Sequence, residues 1–298
     1  MNKTVNLTLN SKYIKKYQNG YPLLEKESVI NWNLVKEEGT IVNLFDTQKN
    51  FIAKGYYGKQ NKGYGWVLSF RQHESIDELF FSSKIKNAIE YRRDFFKDKT
   101  TTAFRLFNGE GDGVGGLTID YFDGFYMITW YSLGIYRFRD EILKALQSQV
   151  KYRGIYQKKR FDTKGQYLSD TSDFICGEEA PTPLIIKENG VNFAIYLDDG
   201  AMVGVFLDQR EVRKTIRNRY AKGKSVLNTF SYTGAFSVFA SLGGATKTTS
   251  VDLAKRSLTK TKEQFTINNI DIEAQDILVQ DVFNYFKYAI RKEISFDM

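Results

Sequence analysis

Residues 225–252, SVLNTFSYTGAFSVFASLGGATKTTSVD, leave the chain few folds to choose from. A short strand runs to Thr229, a polar turn closes at Gly234, an apolar helix opens at Ala235, and a second strand ends on Asp252. The helix has to stop at Gly243 and Gly244, where a left-handed residue is wanted. A strand, a glycine turn, a helix and an acid some ~20 residues after the glycine form a βαβ unit whose acid can take ribose hydroxyls.

The turn narrows the ligand. Dinucleotide turns carry several glycines, so that backbone can approach a pyrophosphate at the helix N-terminus. Here Gly234 stands alone among Asn228, Phe230, Ser231, Tyr232 and Thr233. Polar side chains with one close backbone approach suit a ligand with an amino-acid end and a nucleoside end, which describes S-adenosylmethionine. An ordinary buried turn followed by a surface aspartate has the same spacing, and this stretch alone leaves that alternative open.

Composition excludes several other chemistries. With one cysteine, Cys176, and one histidine, His73, the chain can build neither an internal disulfide nor a Cys- or His-cluster metal site, so no metal is expected. His73, flanked by Gln72 and Glu74, reads as a solvated surface residue. No apolar run approaches the ~20 residues that span a bilayer, and the first residues lack the apolar core of a signal peptide, so a cytoplasmic location and no membrane are expected. A net charge of +8 and a pI near 9.2 suit a polyanionic partner such as RNA, although a generally basic proteome gives the same numbers.

With 298 residues the chain can hold two or three domains. Short alternating runs over the first seventy or so residues have the spacing of a compact β-barrel, with one turn at Asn61, Lys62 and Gly63. Lys12, Lys15 and Lys16 alternate with Tyr13 and Tyr17 in a short helix, a mixture suited to neutralising and stacking on RNA; a solvated lysine face gives the same pattern. A helix is expected over 76–96. Residues 108–116, NGEGDGVGG, are too rich in glycine for regular structure and form a loop. Asp123-Gly124 and Asn189-Gly190 signal hairpins. Residues 204–220 form a loop feeding a basic helix that carries Arg210, Arg213, Lys214, Arg217 and Arg219; Asp208 either caps it or, with Gln209 and Arg210, delivers polar groups to a ligand. A third strand ends on Asp281, where a polar group can bond an adenine amine.

Taken in order, KKYQNGYPLL, FIAKGYYG, NGEGDGVGGLTIDYFDGFY, GVFLDQREVRK, VLNTFSYTGAFSVFASLGGA, SVDLAKRSLTKTKEQFTINN and VQDVFNYF resemble the class I S-adenosylmethionine-dependent RNA methyltransferases of the RlmI (YccW-like) family, which methylate C5 of a cytosine in 23S rRNA. The resemblance implies an α/β multidomain chain: a PUA-like RNA-binding β-barrel over 1–74, a central mixed α/β domain over 75–182, and part of a Rossmann-like methyltransferase domain over 183–298. It implies Asn228, Phe230, Tyr232, Thr233 and Gly234 around the methionine end of the cofactor, Asp252 on the ribose, Asp281 at the adenine, and Gln209 and Arg210 nearby. One departure is Gly115, where relatives usually carry proline, which is expected to leave that loop more flexible.

A second departure is the end. Relatives continue into a DPPSF-like motif and a catalytic cysteine region, so the catalytic residues are expected beyond Met298 and this chain is expected to bind better than it catalyses. In a sheet ordered 3-2-1-4-5-7-6, Val226 and Leu227 would then lie on an uncovered edge, and either that edge pairs with another chain, as in a homodimer, or roughly the last hundred residues are loosely held. Two rival readings accompany the enzyme: a non-catalytic RNA-binding protein with a partial S-adenosylmethionine pocket, and an α/β domain for another nucleoside cofactor.

Overall fold

The computed structural model describes residues 4–60, 63–161, 173–200 and 202–298. The turn expected at Asn61 and Lys62 lies outside them. The chain forms two compact units, one of residues 1–96 with 105–179 and the other of 97–104 with 180–298.

The first unit holds two sheets. In one, β1 (Thr4–Thr8) pairs parallel with β2 (Ile41–Phe45), and β3 (Phe51–Gln60) and β4 (Gly63–Ser69) follow antiparallel. Its apolar face, with Leu7, Val42, Leu44 and Ala53, closes over Tyr17 from α1 (Ile14–Gln18) and Leu24. Tyr17 is fully buried because its hydroxyl is satisfied, donating to the Leu23 carbonyl at 3.2 Å and accepting from the Glu25 N–H at 3.1 Å.

The other sheet runs in the order β5 (Ala103–Asn108), β6 (Leu117–Phe122), β7 (Phe125–Trp130), β8 (Gly154–Lys159), β9 (Phe174–Gly177). All of β7 is buried, as its unbroken apolar run requires of a strand covered on both faces. Asp123 at φ +47° and Gly124 at φ +92° make the expected turn between β6 and β7. The helices are α2 (Glu78–Tyr91), α3 (Leu133–Tyr136) and α4 (Arg139–Gln149). The Asp77 side chain caps α2 by accepting the Phe80 N–H at 3.0 Å, which places its start two residues later than the sequence suggests.

In the second unit, β10 (Leu184–Glu188) and β11 (Val191–Ile195) form the hairpin read from Asn189 and Gly190, both with positive φ. After it come α5 (Arg210–Thr215), β12 (Ser225–Thr229), α6 (Ala235–Leu242), β13 (Lys247–Asp252), α7 (Arg256–Thr266), β14 (Asp276–Val279) and α8 (Val282–Arg291). The strands β12, β13 and β14 pair in that order and parallel, so their C-terminal tips lie side by side.

Two of the basic residues expected along the helical segment that opens with α5, Arg213 and Arg217, turn inward, while Lys214 and Arg219 stay accessible. Arg213 is 1% exposed; its Nε and Nη2 donate to Glu188 at 2.8 and 2.7 Å, and Nη2 also reaches the Phe206 carbonyl at 2.6 Å. Arg217 Nη1 donates to the Asn189 carbonyl at 2.8 Å. Both arginines therefore hold the helical segment against the β10–β11 hairpin.

The expected bare edge is also corrected in part. β12 does lie at the margin of its sheet. The Leu227 N–H, however, donates to the Met298 carbonyl at 2.8 Å, and Asp297 and Met298 donate to the Ser225 carbonyl at 3.0 and 3.2 Å. Residues 297 and 298 thus pair with the first half of the edge, at Ser225 and Leu227.

Candidate functional site

The three strand tips converge on one region. Asn228 on β12, Asp252 on β13 and Asp281 after β14 are placed by the parallel register, and a turn of unusual backbone joins β12 to α6. Phe230 and Tyr232 both lie at φ +53° and Gly234 at +75°, so left-handed residues alternate through 230–234. For side-chain-bearing residues this costs about 1–2 kcal/mol each, a cost tolerated mainly where the conformation serves a purpose. The turn is pinned by Ser231 N–H to the Val251 carbonyl at 3.1 Å, Tyr232 N–H to Asp252 Oδ2 at 2.8 Å, and the Thr233 hydroxyl to the Gly204 carbonyl at 2.7 Å.

Gln209, Asn228, Phe230, Tyr232 and Thr233 line one groove of about 430 Å³, together with Ser231 and Phe236. The sequence-predicted residues Arg210, Gly234, Asp252 and Asp281 stand outside its wall. Gly234 has a packing reason: a Cβ there would lie 2.4 Å from Thr261 Cγ2, so the glycine lets α6 approach α7. Asp252 accepts the N–H groups of Tyr232 and, at 2.9 Å, Ala254, which fixes its carboxylate at the mouth of the turn. Each carboxylate oxygen has a second lone pair for a ligand hydroxyl. Asp281 caps α8 by accepting the Asn284 N–H at 2.9 Å. The Arg210 side chain is 16% exposed, with Nε donating to Glu211 at 3.0 Å. Asp208 caps nothing: neither helical start beside it has a side-chain cap.

Two residues that the sequence reading passed over, Phe283 and Leu253, stand beside the predicted ones. Phe283 is 63% exposed and meets the predicted Phe230, itself 65% exposed, edge to face at 6.2 Å, and Leu253 is 68% exposed beside Asp252. Large apolar side chains held open at strand tips suit a flat ligand, and the signal was available in their place just after each tip. On the other side of the turn the Tyr232 ring packs on Phe206 at 5.5 Å, and burial raises its phenol pKa. Nearby, burial and the Glu263 carboxylate that the Tyr196 hydroxyl meets push the Tyr196 phenol up to about 12, and Lys260 Nζ lies over its ring.

The predicted RNA-binding lysines divide. Lys12 and Lys15 are exposed. Lys16 is 2.7 Å from Glu25 Oε1 and 3.8 Å from the Tyr21 ring centre, and Glu25 holds its ammonium above the ordinary pKa. Among the described residues no cluster of three or more His, Cys, Asp or Glu is placed to hold a metal, and no helix is long and apolar enough to cross a membrane. Cys176, on β9, accepts a hydrogen bond from Gln147 Nε2 at 3.4 Å.

A parallel sheet with an acid at the second strand tip and a strained polar turn at the first fits an enzyme with a nucleoside cofactor, such as a methyltransferase. Comparison with known proteins agrees: residues 104–298 match the S-adenosylmethionine-dependent methyltransferase family, to which the chain belongs, and residues 7–70 match the PUA-like domain. YwbD of Bacillus subtilis, named as a candidate ribosomal RNA large subunit methyltransferase, is 56% identical over 98% of this chain and 74% of its own length. Ribosomal RNA large subunit methyltransferase I of Alteromonas mediterranea is 32% identical over 87% of this chain and 65% of its own length. A crystal structure of a candidate methyltransferase complexed with S-adenosylhomocysteine superimposes with a TM-score of 0.89 at 39% identity, covering 99% of this chain and 74% of that one.

Proposed function

We propose that the chain binds S-adenosylmethionine at the tips of β12, β13 and β14 and serves in the methylation of large-subunit (23S) ribosomal RNA. The observation that carries the reading is the left-handed turn at 230–234 bonded to Asp252, beside a groove sized for a small ligand. Bound there, the cofactor would supply a methyl group activated on a sulfonium. Gln209, Asn228 and Thr233 would orient its amino-acid end, Asp252 its ribose, and Phe230, Leu253 and Phe283 would shield the adenine, with Asp281 at that edge. The PUA-like match at 7–70 and the net charge of +8 support RNA as the partner, with Lys12 and Lys15 free to meet phosphates. A ribosomal RNA substrate supports a cytoplasmic location.

The target atom follows the resemblance: C5 of a cytosine. That reaction needs a thiolate to add to C6 of the base. The single cysteine, Cys176, sits on β9 and accepts from Gln147, and the proposal gives this chain cofactor and RNA binding and assigns the covalent step to none of the described residues.

Calorimetric titration with S-adenosylhomocysteine tests the cofactor half. Asp252→Ala is expected to weaken binding more than about tenfold, since it removes a charge-assisted ribose contact and two turn bonds. Asp252→Asn, which keeps the shape, should lose less; equal binding by all three proteins rejects the ribose role. Affinity for rRNA fragments should fall steeply between about 50 and 200 mM salt.

A further inference from the structure

The first unit carries a groove that the cofactor reading does not use. It encloses about 440 Å³, within the roughly 300–1,000 Å³ of sites that take small ligands. Its floor is Trp66, held at 2% exposure by Nε1 donating to Glu110 Oε1 at 2.5 Å and by stacking on Tyr56 at 5.5 Å. The glycine loop at 108–116 forms one side because it can lie against the indole: a Cβ on Gly115 would come 2.0 Å from Trp66 Cδ1, and one on Gly116 2.5 Å from the Tyr56 hydroxyl.

The walls offer hydrogen bonds of both senses. Gln60 and Asn108 contribute amides, Glu110 a carboxylate and Thr118 a hydroxyl. Thr118 is only 8% exposed, and its Oγ1, itself closed off from solvent, meets no hydrogen-bond partner, so a ligand atom reaches it only when the side chains over it shift. A buried hydroxyl left unpaired is costly unless something arrives to pair with it. Tyr131, whose backbone N–H is tied to the Gly116 carbonyl at 2.9 Å, lines the groove with a ring that has no aromatic neighbour among the described residues. Positive charge at this groove is compensated: Arg105 pairs with Asp120 at 2.8 Å, and Lys16 beside the rim residue Tyr21 pairs with Glu25. The groove thus offers stacking and directional hydrogen bonds more than attraction for phosphate.

We infer that this groove seats one unstacked base of single-stranded RNA, stacked on Tyr131 with its edge read by Thr118, Asn108 and Glu110. An RNA base presents a flat apolar face and an edge of alternating donors and acceptors, which is what these walls complement. The inference rests on the RNA-methyltransferase reading and adds to it a specific reading point in the first unit.

The test uses the full chain and a short, labelled single-stranded RNA of mixed sequence, with the same sequence annealed as a duplex. Fluorescence anisotropy should show Tyr131→Ala binding the single strand about tenfold more weakly and Thr118→Val about three- to tenfold more weakly, with Thr118→Ser close to the parent. The salt dependence should stay unchanged in all three, because a base contact releases no counterions. RNA carrying 4-thiouridine should crosslink to peptides containing Tyr131 or Thr118, a readout that needs no variant to fold. Parental affinity in Tyr131→Ala and Thr118→Val, equal affinity for the duplex, or crosslinks confined to other peptides overturns the inference while leaving the RNA reading standing. A parent that binds neither RNA yet still binds S-adenosylhomocysteine overturns both.

Discussion

Two turns invite the same sequence reading and are built in opposite ways. The loop at 108–116 spends glycines freely, and the structure uses them for space: at Gly115 the missing side chain is what lets the backbone meet the Trp66 indole. The turn at 228–234 has a single glycine, and its left-handed positions at Phe230 and Tyr232 carry large side chains instead. One loop avoids strain and leaves a hollow; the other accepts strain and fans side chains around a cofactor-sized groove. Glycine content therefore says little about which turn faces a ligand. What matters is which way the absent Cβ would have pointed, and at Gly234 it points at Thr261.

The contrast can be broken most forcefully at Gly115. Gly115→Ala places a methyl 2.0 Å from a 2%-exposed indole, and a loss of about 2–3 kcal/mol is expected from overpacking, measured as a lowered urea midpoint. Unchanged stability would mean that the loop is not clamped, and the greater flexibility expected from a glycine in place of proline would return. A smaller and opposite effect is expected in the other turn. Phe230→Gly removes a left-handed phenylalanine that is 65% exposed; it should stabilise the protein by about 0.5 kcal/mol while weakening S-adenosylhomocysteine binding. If stability falls instead, the ring is structural and the turn is not strained for function.

The smallest effect concerns the strand that feeds this turn. The Ser225 N–H and hydroxyl each donate to Asp297 at 2.8 Å and hold that carboxyl below its usual pKa. A depressed carboxylate contributes at pH values above its unfolded pKa of about 3.9 and ceases to contribute as pH falls through the lower folded value. Hydrogen exchange at the Leu227 amide should accordingly lose protection, relative to intrinsic exchange, on acidification below about pH 4. Asp297→Asn should reduce it at neutral pH by less than about threefold, because the carboxylate is exposed.

Much of the fold was legible because its signals are local. Asn189-Gly190 and Asp123-Gly124 dictate turns through backbone preference alone, and the alternation of apolar strand, glycine turn and apolar helix at 225–242 needs no distant partner. The candidate site was half legible. The strand-tip polar residues were found, since spacing places them, but the roles of Gly234, Arg213 and Lys16 are set by Thr261, Glu188 and Glu25, which no local pattern joins to them. The same holds for β12, where residues 297–298, distant in sequence, bond to Ser225 and Leu227. The sequence counts Arg213 as one of five basic residues along a helix, whereas bidentate pairing with Glu188 buries it.

The Arg213–Glu188 pair has an evolutionary consequence. Removing either member strands the other as an uncompensated charge inside the protein, at about 3–5 kcal/mol, while replacing both with well-packed apolar residues can be neutral. Single-step substitution paths through either position are thereby closed, and the two sites should drift only as a coupled unit. Because Arg213 and the Phe206 that it holds both line the candidate groove, substitutions at Glu188 in the β10–β11 hairpin are expected to be felt there although the hairpin does not line it.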